Sequence, residues 1–277
     1  LRLSRTEVAL AATSVSNGAT IRNTELTGSF GLRHDLTERV AITANLGRGF
    51  RAPNIFDLGT LGARPGNRFN IANPDLGPET VWTVDTGIEW QGETAELNAV
   101  VWYSDYIDQI TSVSTGQVDA AGRDIVQSQN ASESILYGIE LAAAWEITRR
   151  LTLNATVNSV YGRTTLADGQ AEPADRIPPL NGQLGLRYHH GDWWLRAQWR
   201  GADDQSRLSA RDVRDPRIDP LGTPGFGVIN LAGGWQISPV WRATLELHNA
   251  ADRAFREHGS GIDAAGRAIT VSLRGAW

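Results

Sequence analysis

Ile269, Val271, Leu273 and Trp277 fall on one parity of the chain, and Thr270, Ser272, Arg274 and Ala276 on the other. This is the two-residue period of a β-strand with one apolar face. The period recurs along the sequence. Leu26, Phe30 and Leu32 alternate with Thr27, Ser29 and Arg33, and after the turn Asp35-Leu36-Thr37-Glu38 the pattern resumes at Val40, Ile42, Ala44 and Leu46. Trp82, Val84, Ile88 and Trp90 turn at Gly92-Glu93 into Leu97, Ala99, Val101 and Tyr103. Tyr137, Ile139, Leu141 and Trp145 turn at Thr148-Arg149-Arg150 into Leu151, Leu153, Ala155 and Val157. Leu184, Leu186 and Tyr188 are matched by Trp193, Leu195, Ala197 and Trp199, and Ile229, Leu231 and Trp235 by Trp241, Ala243, Leu245 and Leu247. With Leu1 to Leu10 as a further strand before a polar loop through Ser14, Asn17, Gly18 and Asn23, this predicts about twelve strands of about ten residues each.

The connections matter more than the count. Short turns alternate with long polar segments, the first through Arg51, Pro53, Arg64, Pro65, Gly66, Asn67, Asn73 and Pro74 and the others at about 109–128, 163–180, 201–223 and 250–265. A soluble sandwich has no reason to segregate its loops in this way, and its outer faces would carry charge where this chain places Leu, Val, Ile, Trp and Tyr. An antiparallel up-and-down transmembrane β-barrel predicts both features, with apolar side chains toward lipid and polar ones toward a wet lumen. Trp90, Trp145, Trp193, Trp235 and Trp241 sit beside short turns, where an interfacial aromatic girdle belongs. Leu273 and the terminal Trp277 suit a strand read by the β-barrel assembly machinery.

Composition narrows the classes. Hydrophobic residues make up 41% of 277, and no apolar run approaches the roughly 18 residues of a membrane helix. Cys is absent, which removes disulfides, thiolate metal sites and Cys nucleophiles. All 26 basic residues are Arg, and the net charge of -5 gives no reason to expect nucleic acid.

Candidate chemistry is sparse. His189 and His190 lie on a short turn, and His34, His248 and His258 are dispersed, so no metal site or cofactor is assigned. Gly47-Arg48-Gly49 and Gly259-Ser260-Gly261 precede no helix pattern and are not phosphate cradles. Asp203-Asp204 and the pair Asp212 and Asp215 read as solvated loop carboxylates, so no enzyme activity is expected. Arg51, Arg64 and Arg68, with Asp57 nearby, are candidate ligand-binding residues, because guanidinium forks suit carboxylates and phosphates. The plain alternative has them solvated, paired with Asp57, or set against lipopolysaccharide phosphates.

Gly47-Arg48-Gly49-Phe50-Arg51-Ala52-Pro53-Asn54, followed by Asn73-Pro74-Asp75-Leu76-Gly77-Pro78-Glu79-Thr80, resembles the paired barrel motifs of TonB-dependent outer-membrane receptors. Tyr137-Gly138-Ile139-Glu140, Arg176-Ile177-Pro178-Pro179 and His248-Asn249-Ala250-Ala251-Asp252-Arg253 resemble further landmarks in the family's order. The resemblance implies that residues 1–277 are the C-terminal portion of a 22-stranded barrel. A plug domain and a coupling box are then expected upstream of Leu1. It also implies uptake of a scarce ligand, a ferric siderophore or cobalamin, across the outer membrane of a Gram-negative bacterium, with energy from a TonB–ExbB–ExbD complex. Haem receptors of the family carry a His between the two motifs; 55–72 has none, which disfavours haem. A porin-like passive channel is the alternative function, and a soluble β-module the alternative fold.

Overall fold

The computed structural model describes residues 1–11, 18–59, 61–64 and 67–276. The chain opens with β1 (Arg2–Leu10), β2 (Ala19–Thr37), β3 (Val40–Arg51), helix α1 (Ile55–Gly59) and the small strands β4 (Gly62–Arg64) and β5 (Arg68–Ile71). Next come β6 (Glu79–Gln91), β7 (Ala95–Val118), β8 (Asp124–Thr148), β9 (Leu151–Thr165), the short β10 (Ala171–Pro173), β11 (Asn181–His190) and β12 (Trp193–Ala202). Helix α2 (Ala210–Arg214), β13 (Phe226–Gln236), β14 (Trp241–His248) and β15 (Ala268–Gly275) complete it. Twelve of the strands pair in sequence order, skipping only β4, β5 and β10. Every pair along that path is antiparallel. The result is the expected up-and-down sheet. It is open: β1 pairs only with β2, and β15 only with β14, among the described residues.

Register places the apolar residues on one face without a break. Phe30 stands opposite Leu46, Leu46 opposite Val84, Val84 opposite Tyr103, Tyr103 opposite Tyr137 and Tyr137 opposite Tyr161. In the second half Leu184 faces Trp199, Trp199 faces Ile229, Leu231 faces Leu247 and Leu245 faces Val271. These side chains are largely exposed, from Val271 at 74% to Tyr161 at 40%, with Leu247 half-buried. An unbroken exposed apolar band is incompatible with water and suits hydrocarbon. Tyr137 stacks on Tyr161 with centroids 5.0 Å apart, one of the cross-strand aromatic pairs that fix register. The five Trp expected beside short turns all lie on this face at one end, and Trp193 pairs with Trp235.

The long connections differ from expectation at one place. Instead of a loop over 109–128, β7 and β8 continue as a paired ribbon, with Ile110 opposite Asn130 and Val113 opposite Gln127. Asp119 closes its tip, accepting from the amides of Ala121 and Arg123 (both 2.9 Å) and from Arg123 Nε at 2.8 Å. The arginine and these amides hold the Asp119 carboxyl below its usual range. The ribbon is rich in Ser, Thr and Gln on both faces, because it stands clear of the apolar band. It has no lipid-facing apolar stripe, and Val126 is buried where β5 pairs with β8, so it lacks the alternation that marks the other strands. Near the other edge, β2 begins at Ala19, so part of the expected polar loop pairs with β1; Ser14 and Asn17 lie outside the described residues.

Val271 sits mid-strand on the apolar face of β15, opposite Leu245 and 74% exposed. Val271→Arg should therefore impair insertion, costing about 2–4 kcal/mol near a bilayer midplane. Heat-modifiable gel migration after folding into lipid vesicles measures the loss; Thr270→Arg, on the opposite face, should fold normally.

Candidate functional site

The 47–54 and 73–80 motifs meet at the long-loop end of β3 and β6. Arg51 closes β3, and its guanidinium grips Glu79, the first residue of β6, through Nε (2.5 Å) and Nη2 (2.8 Å). Its remaining fork, Nη1, reaches Asp57 Oδ2 at 2.7 Å. Asp57 also accepts from the Asn54 amide at 2.9 Å, while Asn54 Oδ1 caps α1 by accepting from Phe56 and Asp57 amides at 2.7 and 3.2 Å. Glu79 Oε1 further accepts from the Ile110 amide of β7 at 2.7 Å. Beneath this network Leu58 (1% exposed), Leu76 (2%) and Ile21 form a small core with Val8 and Ile110, and Pro53 is fully buried. Asn73 donates to the Ser128 carbonyl (2.8 Å), and Asn130 exchanges hydrogen bonds with both the amide and carbonyl of Gly77. Together these contacts bind the longest connection to the β7–β8 ribbon.

A second junction joins three further connections. Ser209 and Asp212 form a reciprocal capping box at α2, and Asp212, 1% exposed, also accepts from the Arg176 amide at 3.1 Å. That acceptance holds Arg176 in a left-handed conformation at φ 54°, unfavourable for a side-chain-bearing residue. The Arg176 side chain pairs with Asp215 at 2.5 Å, which also takes Arg217 at 2.6 Å. Gln205 donates to the Ile177 carbonyl at 2.8 Å. From the last connection, His258 Nδ1 meets Thr223 Oγ1 at 2.9 Å, while its Nε2 is buried with no hydrogen-bond partner. Burial pushes the His258 imidazole below its usual range; nearby Arg176 acts in the same direction and Asp212 opposes it.

The 248–253 motif is a corner of the same kind. Asn249, left-handed at φ 47° and buried, donates from Nδ2 to the Arg253 carbonyl (2.8 Å) and accepts the Arg253 amide on Oδ1 (3.0 Å). Gly138 of the 137–140 motif has a different reason. It faces inward opposite Trp102, and a Cβ there would come within 2.8 Å of the indole and 2.5 Å of the Ser159 carbonyl. Trp194 lies over Gly234 in the same way. Each glycine lets a tryptophan lie flat on the inner wall.

Such a wall, with long connections latched at one end and short turns at the other, matches a known family. The sequence model of the TonB dependent receptor-like, beta-barrel family matches residues 1–250. The chain belongs to this family. The ferric enterobactin receptor of Pseudomonas aeruginosa is 28% identical over 130 residues, covering 40% of this chain and 17% of that receptor. Among solved structures, the copper transporter OprC superposes with TM-score 0.78 at 20% identity, covering 99% of this chain and 44% of OprC. The FrpB iron transporter from Neisseria meningitidis superposes with TM-score 0.75 at 18% identity, over 98% of this chain and 41% of that one. These likenesses are likenesses of fold, and this receptor chain spans less than half the length of either structure.

Seen as a receptor barrel, the sequence candidates separate. Arg51 and Asp57 are brought together, yet as partners of each other and of Glu79, which gives Arg51 a latching role. Arg64 and Arg68 stand at opposite register positions of the β4–β5 hairpin, whose β5 pairs in parallel with β8. Phe50, Ala52, Pro53, Asn73, Pro74, Asp75 and Leu76 lie in or beside the latch, while Trp277 lies outside the described residues. Asp212 and Asp215 depart from the expectation of solvated carboxylates: the first is buried in a capping box, and the second pairs with two arginines. The Ser209-x-x-Asp212 spacing is the signal that marks such a helix start; His258 has no comparable local signal.

Two outcomes test these junctions. Arg51→Ala and Glu79→Ala should each lower unfolding stability by about 1–3 kcal/mol, with a double mutant losing less than the sum of the singles, since the bonds they share are lost only once. Urea titration in detergent measures it. For His258, the unfolded chain binds the extra proton more readily than the folded one, so junction stability falls as pH drops through about 6.5. Hydrogen exchange of amides 223 and 258 should accelerate between pH 7.5 and 5.5, and His258→Gln should flatten that dependence.

Proposed function

We propose that this chain forms part of the wall and outer loops of an active outer-membrane transporter that captures a scarce metal chelate, such as a ferric siderophore. The observation carrying this reading is the family membership combined with loops that are latched to the wall rather than left free. A receptor must present a formed surface to a dilute ligand, and pre-organisation lowers the entropy lost on binding. Arg64 and Arg68, at opposite register positions of the β4–β5 hairpin outside the apolar band, supply guanidiniums of the kind that suits an anionic chelate. The matched ferric enterobactin receptor gives this ligand class its support; a cobalamin-type cargo would use the same wall. The open edges of β1 and β15 are met in lipid by further strands of the same barrel, since unpaired backbone is costly there. A plug domain in the lumen is moved by a periplasmic TonB–ExbB–ExbD complex. Lipid and lipopolysaccharide contact the outer face, and the β-barrel assembly machinery inserts it.

Deleting the gene should abolish uptake of a ferric catecholate by the host under iron limitation. Deleting the energy-transducing partner should do the same. Arg64→Ala with Arg68→Ala should reduce uptake about tenfold, equivalent to about 1.4 kcal/mol, with unchanged surface expression. Uptake that persists without the partner would return the porin-like reading.

A further inference from the structure

The inner face of the wall is divided by charge. On β6–β9 it carries Asp85, Glu89, Glu96 and Glu140 and no arginine, Glu89 being paired with Arg33 of β2. On β11–β15 the sign reverses. Arg187 stands directly opposite Arg196, and Arg242 directly opposite Arg274. All four are exposed, all lie on the face opposite the apolar band, and all are near the short-turn end. Glu246 is the sole carboxylate on that face of these strands, and it lies against His248 at 3.4 Å.

Like charges directly opposite in a ladder repel, and the sheet does little to relieve them. The ion pairs among the described residues include none of the four arginines. Arg187 lies over the Trp194 ring at 4.6 Å, and Arg242 donates to Gln236 Oε1 at 2.9 Å. Stacking on an indole and bonding to an amide both orient a guanidinium without neutralising it. Trp194 is itself seated by Gly234, so Arg187 is held on a prepared platform. Two guanidinium doublets on the inner face, one member of each held by a neighbouring side chain and none in an ion pair among the described residues, form a receptor for carboxylates spaced along a polypeptide.

We propose that these two doublets dock an acidic polypeptide segment against the β11–β15 half of the lumen. The acidic β6–β9 half repels the same segment, so the charge division sets the rotational orientation of whatever fills the barrel. This rests on the receptor reading only in taking the wall to enclose a lumen; the identity of the cargo does not enter.

The test uses the full-length protein in outer membranes. With p-benzoylphenylalanine at position 196, irradiation and peptide mapping should place cross-links on a segment rich in Asp and Glu. Cross-links confined to segments lacking carboxylates, to lipid, or absent altogether overturn the proposal. In parallel, Arg196→Glu with Arg274→Glu should raise permeability to a large excluded antibiotic several-fold, while Arg196→Lys with Arg274→Lys stays near wild type, both judged on protein shown folded by heat-modifiable migration. A folded Glu variant as tight as wild type, or a Lys variant as leaky as the Glu one, overturns it. If the Glu variant does not fold, the cross-linking result decides. Failure of chelate uptake would leave the cross-link pattern unchanged, which separates this proposal from the transport reading.

Discussion

In hydrocarbon every backbone amide and carbonyl must find its partner within the protein, and the structure is organised around that requirement. Twelve strands pair with their sequence neighbours, and the ladder continues into the turns: Gln91 donates to the Arg39 carbonyl, Glu146 to Thr94 and Gln236 to Asp192. Once the backbone is satisfied in this way, side chains alternate between two solvents. The apolar band on one parity and the Asn, Thr, Gln, Glu and Arg on the other are consequences of one ladder meeting lipid outside and water inside.

The ladder does not hold the connections at the long-loop end, where strands emerge into water. There polar networks take over, each built on a group whose hydrogen-bonding capacity is filled by a neighbouring connection. Arg51 with Glu79 and Asp57, Asp212 with Ser209 and Arg176, and Asn249 with Arg253 are three versions of this device. Small apolar clusters such as Leu58, Leu76 and Ile21 sit beneath. The family motifs coincide with these latches, which explains why they read as signatures: they require exact donors, acceptors and left-handed turns, where the strands require only alternation.

The inner wall follows a third logic. Among the described residues, Trp102 lies on Gly138 and Trp194 on Gly234, which keeps the wall smooth. Its charges are sorted by half, acidic on β6–β9 and basic on β11–β15, which neither the ladder nor the lipid demands.

The fold class, the strand count along the meander, the parity facing lipid and the end carrying the Trp girdle were legible in the sequence, because each follows from a period of two residues and from turn length. The ribbon over 109–128 was not, since no face of it meets lipid and its buried side is made by β5 arriving from another connection, so alternation disappears. Arg51 was visible as an arginine within a motif, but only the tertiary structure showed its fork filled by Glu79 and Asp57, residues 28 and 6 positions away. The same holds for Asp212, whose burial depends on Arg176 arriving from another connection, and for the arginine doublets, which exist only through register. Periodicity is a local property that a linear chain displays on its face. Burial, charge pairing and cross-strand opposition depend on which distant residues arrive together, and that was decided only when the sheet formed.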